Sequence, residues 1–218
     1  MLLEKERQAV VDYCLLMLQR GITKGTGGNI SIYCREEGLV AISPSGVEYT
    51  DMTAADVVVV DIQGHVVDGK LKPSSELGMH LAIYAARSDI SSIVHTHSTF
   101  ATTIACAHKE IPAVHYLVGF AGVDKVPCIP YYPFGSQELA QAAGDKFGQM
   151  PTLTALLLGN HGLITGGGNI GFAFSAAEEI EFVAELYYRQ LQLGGELHTL
   201  SPEQMAVVYE KFAHYGQK

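Results

Sequence analysis

The sequence predicts one α/β domain over residues 1–218, a mixed and largely antiparallel sheet flanked by helices. Three observations lead there. Short apolar runs separated by tight turns fill the stretch after the first helix, the pattern of hairpins. Segments with helical periodicity then alternate with further short apolar runs, as expected when helices cover a sheet. Neither a linker nor an internal repeat divides the chain.

The elements follow in order. Residues 3–20 place Val10, Cys14, Met17 and Leu18 on one helical face, and Gly21 is a natural C-terminal stop. A glycine-dense loop at 21–29 leads into a strand at 30–34. A turn at 35–38 precedes a second strand at 39–42, which ends in Ser43-Pro44-Ser45-Gly46. Residues 57–62 and 65–67, joined by Gln63 and Gly64, read as a hairpin. A helix is expected over 75–87, with serines as caps and an acidic first turn. Strand 93–97 and helix 99–108 follow. Residues 111–135 are dense in Pro, Tyr and Phe and are expected to be irregular. A helix at 137–147, strands at 153–158 and 162–165, a turn at Gly166-Gly167-Gly168 and a long helix at 172–193 come next. The last helix, 202–214, carries Pro202 in its first turn.

With 48% hydrophobic and 17% charged residues, the composition is that of a globular protein with a sizeable core. A formal net charge of −9 argues against nucleic acid or an anionic membrane as partner. It leaves room for an anionic small molecule held by a metal ion and oriented backbone N–H groups. The four cysteines, Cys14, Cys34, Cys106 and Cys128, form no CxxC pair and read as reduced thiols of a cytoplasmic protein. Glu4, Lys5, Glu6 and Arg7 precede only a short apolar stretch, so neither a signal peptide nor a membrane anchor is expected at the N-terminus.

The most informative feature is His95-Thr96-His97 at the end of an apolar strand. On a strand, residues i and i+2 point to the same face, so both imidazoles can reach one ion. An isolated pair of this kind is as readily two ordinary histidines. His161 strengthens the metal reading, because the apolar run 155–158 also delivers a histidine into a glycine-bounded turn. Glu76, in Pro73-Ser74-Ser75-Glu76, is the candidate carboxylate. Three imidazoles and a carboxylate suit zinc first, and iron, cobalt or manganese after it.

Three segments suit an anion. Adjacent glycines in Thr26-Gly27-Gly28-Asn29 let the backbone approach a ligand. Ser43-Pro44-Ser45-Gly46 offers hydroxyls in a tight turn, and Ser74-Ser75 stands where a helix dipole favours negative charge. No Gly-Lys-Ser/Thr follows the glycines, so this is not a P-loop; nor is it a dinucleotide fingerprint. The abutment of Ser74 and Ser75 on Glu76 would bring a bound phosphate close to the metal.

Taken together, these motifs resemble the class II aldolase/adducin family along nearly the whole chain. The resemblance rests on Gly-Thr-Gly-Gly-Asn at 25–29, Ser-Pro-Ser-Gly at 43–46, Pro-Ser-Ser-Glu at 73–76, His95-Thr96-His97, Ile-Pro-Ala-Val-His-Tyr at 111–116, Pro-Phe-Gly at 133–135, Asn-His-Gly at 160–162 and Glu-Lys-Phe-Ala-His-Tyr-Gly at 210–216. It implies a three-layer fold and a cyclic homotetramer with active sites at subunit interfaces, each subunit binding one Zn²⁺. His95, His97 and His161 would be zinc ligands, and Glu76 both a ligand and the general base. Gly28, Asn29, Ser45, Gly46, Ser74 and Ser75 match phosphate-binding positions, and Phe134 matches an aromatic of the substrate pocket. Tyr116 and Tyr215 match tyrosines that reach a neighbouring subunit's site, Tyr116 as the acid that protonates the aldehyde oxygen. Ser43 and Ser45 stand where threonines are common.

The activity implied is that of a metal-dependent aldehyde-lyase cleaving a ketose 1-phosphate, L-fuculose 1-phosphate or a 5-deoxypentulose 1-phosphate, to dihydroxyacetone phosphate and a small aldehyde. No lysine Schiff base is required, and Lys24, Lys70, Lys72 and Lys109 show no distinctive context. Salvage aldolases for 5-deoxyribulose or methylthioribulose phosphates, pentulose-phosphate 4-epimerases and methylthioribulose-1-phosphate dehydratases are the alternatives within the family. The epimerases typically carry aspartate where Glu76 stands. Adducin-type scaffolds carry long extra regions and need no ligand set.

Overall fold

A computed structural model describes residues 1–214. The elements are α1 (Glu4–Gln19), β1 (Asn29–Cys34), β2 (Leu39–Ile42), β3 (Val58–Asp61), β4 (Val66–Asp68), α2 (Leu77–Ala86), β5 (Ser92–Thr96), α3 (Thr99–Cys106), a 3₁₀ turn (Tyr116–Ala121), β6 (Cys128–Ile129), α4 (Gln137–Gln149), β7 (Ala155–Leu158), β8 (Gly162–Gly167), α5 (Ile170–Leu193) and α6 (Pro202–Ala213). The strands form one eight-stranded sheet in the order β4-β3-β2-β1-β5-β8-β7-β6. Every pairing is antiparallel except β6 with β7.

Strand alternation explains the three layers. Val58, Val60 and Ile93 face one side, where Met79 and Ile83 of α2 and Leu139 and Phe147 of α4 cover them. Val59 and Val94 face the other, against Val10 and Met17 of α1, Ile104 of α3 and Ile180 and Val183 of α5. Both faces are covered, so the central strands read as apolar runs rather than alternating ones. Helix starts are capped from the chain itself. Ser136, Asn169 and Ser201 accept from Leu139, Phe172 and Gln204 backbone N–H groups. The Glu181 carboxylate on α5 accepts from Phe100 and Ala101 at the start of α3, both at 2.8 Å. No helix among the described residues is long and apolar enough to cross a membrane.

Four local expectations are corrected. Gly166 and Gly167 are not a turn but the end of β8, paired with Ile93 and Ser92. A side chain at Gly167 would sit 2.5 Å from Phe172, so close packing rather than turn geometry demands the glycine. Helix α2 starts at Leu77 with Glu76, not a serine, in the capping position. The stretch 111–135 holds a 3₁₀ turn and the two-residue β6. Strand β5 stops at Thr96, one residue short of His97.

Candidate metal centre and substrate cavity

The central strand order sets the site. Asn29 on β1 pairs directly with His95 on β5, and His161 precedes β8, the other neighbour of β5. His97, one residue past the strand, keeps the same face. Its Nε2 lies 3.1 Å from that of His95. Glu76 reaches in from the start of α2, with Oε2 3.1 Å from His95 Nε2 and Oε1 3.2 Å from His161 Nε2. One donor atom from each of Glu76, His95, His97 and His161 lies within 4.8 Å of all the others.

The donor set fits a divalent metal on its own chemistry. His95 Nδ1 donates to the Leu163 carbonyl at 2.9 Å, which fixes the tautomer and turns the Nε2 lone pair toward His97 and Glu76. Glu76 Oε1 is buried without a hydrogen bond. Lone pairs facing lone pairs and a carboxylate are an arrangement that a cation resolves. The electrostatics agree for Glu76, His97 and His161, while His95 without a metal keeps a bias toward its protonated form that a cation at Nε2 would replace. Burial opposes charge on Glu76, but His95, His161 and the Asn29 amide outweigh it and hold the carboxyl well below the usual range. Burial, with the charge on His95, pushes His97 and His161 down to about 4, leaving both neutral and able to ligate. For His95, burial is overcome by Glu76, which raises its pKa.

The cluster lies at one side of a cavity of about 410 Å³ lined by all three anion-suited segments. Backbone stitching brings them together. Ser45 N–H donates to Lys72 O at 3.0 Å, and Ser74 N–H to Ser43 O at 3.1 Å. Ser43 Oγ accepts from Ile30 N–H at 3.2 Å, which joins that strap to β1. Gly28, with φ +73°, passes so close to His95 that an added Cβ would lie 2.4 Å from its carbonyl oxygen. Tyr49, buried, places its hydroxyl 3.0 and 2.8 Å from the Gly27 and Gly28 carbonyls, and Thr23 donates to Gly27 O at 2.6 Å. The loop's carbonyls are thereby turned into the protein. Among the described residues no lysine or arginine lines the cavity.

Gly28, Asn29, Ser45, Gly46, Ser74, Ser75, Glu76, His97, His161 and Phe134 line this space, and His95 lies buried beside it. Tyr116 does not. Its ring is 47% exposed and borders a separate apolar groove with Phe120, Phe172 and Phe212. Tyr215 lies outside the described residues. Sequence reading missed Tyr131 and Asn160, which also line the cavity, and Tyr49 and His80 behind it. Tyr131 stands in the aromatic-rich stretch and Asn160 beside His161, the only signals either gives. Asn160 has a left-handed backbone, φ +52°, and its side chain accepts a hydrogen bond from His108.

A four-donor cluster able to hold a metal ion therefore sits at a cavity lined by anion-suited segments. The model of the class II aldolase and adducin N-terminal domain matches residues 8–188, and the chain belongs to that family. It is 52% identical over 218 residues, the full length of both chains, to a 5-deoxy-D-ribulose 1-phosphate aldolase of Bacillus thuringiensis serovar kurstaki. An L-fuculose phosphate aldolase of Haemophilus influenzae is 41% identical over 96% of this chain and 94% of its own. A solved L-fuculose 1-phosphate aldolase superposes with a TM-score of 0.89 at 39% identity, over 96% of each chain.

Proposed function

We propose that the chain is a zinc-dependent aldolase. It would reversibly cleave a ketose 1-phosphate to dihydroxyacetone phosphate and a small aldehyde, with a 5-deoxypentulose 1-phosphate preferred over L-fuculose 1-phosphate. The observation that carries this is the convergence of Glu76, His95, His97 and His161 beside a cavity lined by three anion-suited segments. The full-length 52% identity to a 5-deoxyribulose 1-phosphate aldolase supports the choice of ketose.

His95, His97, His161 and Glu76 would hold one Zn²⁺ per subunit, whose chemistry is Lewis-acid stabilisation of negative charge developing on the substrate's ketone oxygen. Gly28, Asn29, Ser45, Gly46, Ser74 and Ser75 bind the phosphate through backbone N–H groups, the Asn29 amide and hydroxyls. In condensation, Glu76 removes the proton from the carbon that bears the hydroxyl, and in cleavage it returns it. Its Oε1, free of hydrogen bonds, is suited to that exchange. Tyr116 protonates the aldehyde oxygen. It lines no part of its own chain's cavity, which suits action in the site of a neighbouring copy within a cytoplasmic homotetramer. Phe134 shapes the aldehyde pocket.

The test is release of dihydroxyacetone phosphate from 5-deoxyribulose 1-phosphate and from L-fuculose 1-phosphate, with and without a chelator. Chelator-sensitive release, faster from the deoxypentulose, is expected. Metal-loaded protein that releases none from either, yet inverts a carbinol centre or eliminates water, refutes the aldolase in favour of an epimerase or a dehydratase.

A further inference from the structure

Behind the cavity wall a chain of buried polar side chains runs from Glu76 into the interior. Asn29 Nδ2 donates to Glu76 Oε2 at 2.9 Å, and Asn29 Oδ1 lies 2.6 Å from His80 Nε2. His80 Nδ1 lies 2.7 Å from Ser31 Oγ, which lies 2.7 Å from the Tyr84 hydroxyl. His80 and Ser31 are fully buried, and Asn29, Glu76 and Tyr84 nearly so.

With His80 neutral, one proton arrangement satisfies every link. An ionised carboxylate only accepts, so Asn29 must turn its N–H₂ toward Glu76. The amide oxygen then faces His80, which must donate from Nε2. His80 Nδ1 is left with a lone pair and accepts from the Ser31 hydroxyl. Ser31 Oγ in turn accepts from the Tyr84 O–H, which also reaches the Ser31 carbonyl at 3.0 Å. Burial, reinforced by the charge on His95, lowers the pKa of His80 to about 3, so the ring stays neutral and holds a single tautomer. Reversing the direction of donation sets an amide oxygen against a carboxylate oxygen. Links that all run one way also polarise one another.

We propose that His80 is a positioning residue for the reaction: through Asn29 it ties down Glu76 Oε2 and leaves Oε1 as the oxygen that exchanges a proton with substrate. Ser31 and Tyr84 set the His80 tautomer. The inference rests on the base role of Glu76 given above and extends it to residues that touch neither substrate nor metal.

Two independent readouts test it on the metal-loaded enzyme. The first is the imidazole ¹⁵N spectrum, with His80 assigned from the signals lost in His80→Gln. A neutral Nε2–H ring between about pH 6 and 8 is expected; an Nδ1–H ring or an imidazolium overturns the proposal whatever the activity. The second is steady-state kinetics. His80→Leu should lower kcat by about 100-fold with KM within about threefold and bound metal unchanged. His80→Gln, whose amide N–H reaches the Nε2 position, should return kcat to within about tenfold of the wild type. Equal losses in the two variants would mean a packing role and overturn the proposal. If His80→Leu does not fold, Ser31→Ala, which removes one hydroxyl, should lower kcat about tenfold at constant KM. An unchanged kcat there overturns it too. Absence of any aldol cleavage by the wild type would refute the reaction itself, and the ¹⁵N readout would still judge the Asn29–His80 link.

Discussion

The substitution Gly28→Ala probes a close backbone approach in the site. Two costs combine. At φ +73° an L side chain is strained by about 1–2 kcal/mol. The new Cβ would also meet the His95 carbonyl oxygen at 2.4 Å, a backbone atom that cannot swing away. Relieving that overlap by moving β1 against β5 adds about 1–3 kcal/mol. A total near 3 kcal/mol is a large part of a typical domain's stability of about 5–15 kcal/mol. At about 2–4 °C per kcal/mol for this chain length, the melting temperature should fall by roughly 10 °C. Because the displaced carbonyl belongs to His95, a proposed metal ligand, metal affinity should weaken as well. Gly46→Ala is the control: its φ is +69°, but open space surrounds the added Cβ. That variant should lose only about 1–2 kcal/mol, or roughly 4 °C. Thermal unfolding and metal titration of the two proteins decide. Equal drops in melting temperature, or a Gly28→Ala protein with wild-type metal affinity, would refute the close-approach argument.

His161→Ala removes one of four donors and should weaken metal binding at least about tenfold, read by equilibrium dialysis; full affinity would remove His161 from the ligand set. Tyr116→Phe should lower kcat by about 100-fold with metal content intact, whereas loss of both would mark the tyrosine as structural. His80 makes a pH prediction. Its folded pKa lies below the ordinary 6.5, at about 3, so the unfolded chain takes up the proton first. Its contribution is therefore fully present above pH 6.5 and is lost as pH falls toward 3. Between pH 6.5 and 5, the stability of the wild type should fall more steeply than that of His80→Gln, by about 0.7 kcal/mol per unit at pH 6.5 and approaching about 1.4 near pH 5. Identical slopes in chemical denaturation would contradict it.

The sequence made legible what local pattern controls. The apolar run before His95 marked a buried strand, and the i, i+2 spacing placed His97 on its face although the strand itself ends at Thr96. The glycines of the anion loop announced their backbone freedom. Features that depend on distant partners stayed hidden. Gly166 and Gly167 carry turn-like propensity, yet Ile90, Phe147 and Phe172 leave no room for a side chain there, and the antiparallel pairing with β5 holds them extended. The two residues of β6 have no periodicity to display, and only their parallel pairing with β7 defines them. His80 sits on the apolar face of α2 with Met79 and Ile83, and nothing local distinguishes it from a packed core histidine. Its meaning comes from Asn29 and Ser31, 51 and 49 residues away.

On the proposed function, a cavity that no lysine or arginine lines among the described residues also bears on the order in which ligands arrive. The chain carries a formal charge of −9, and one of its negative charges, the ionised Glu76, stands beside the cavity. A phosphate monoester brings about −1.5 to −2 more at neutral pH. On that reading, Glu76 in the metal-free pocket opposes the phosphate that the N–H groups and hydroxyls would hold. A divalent ion among the four donors reverses the sign of the local potential. On the proposed function, binding is therefore sequential by electrostatics alone, ion first and sugar phosphate second. The supply of metal in the cell then governs what fraction of the protein can recognise its substrate at all, before it governs how fast any of it turns over.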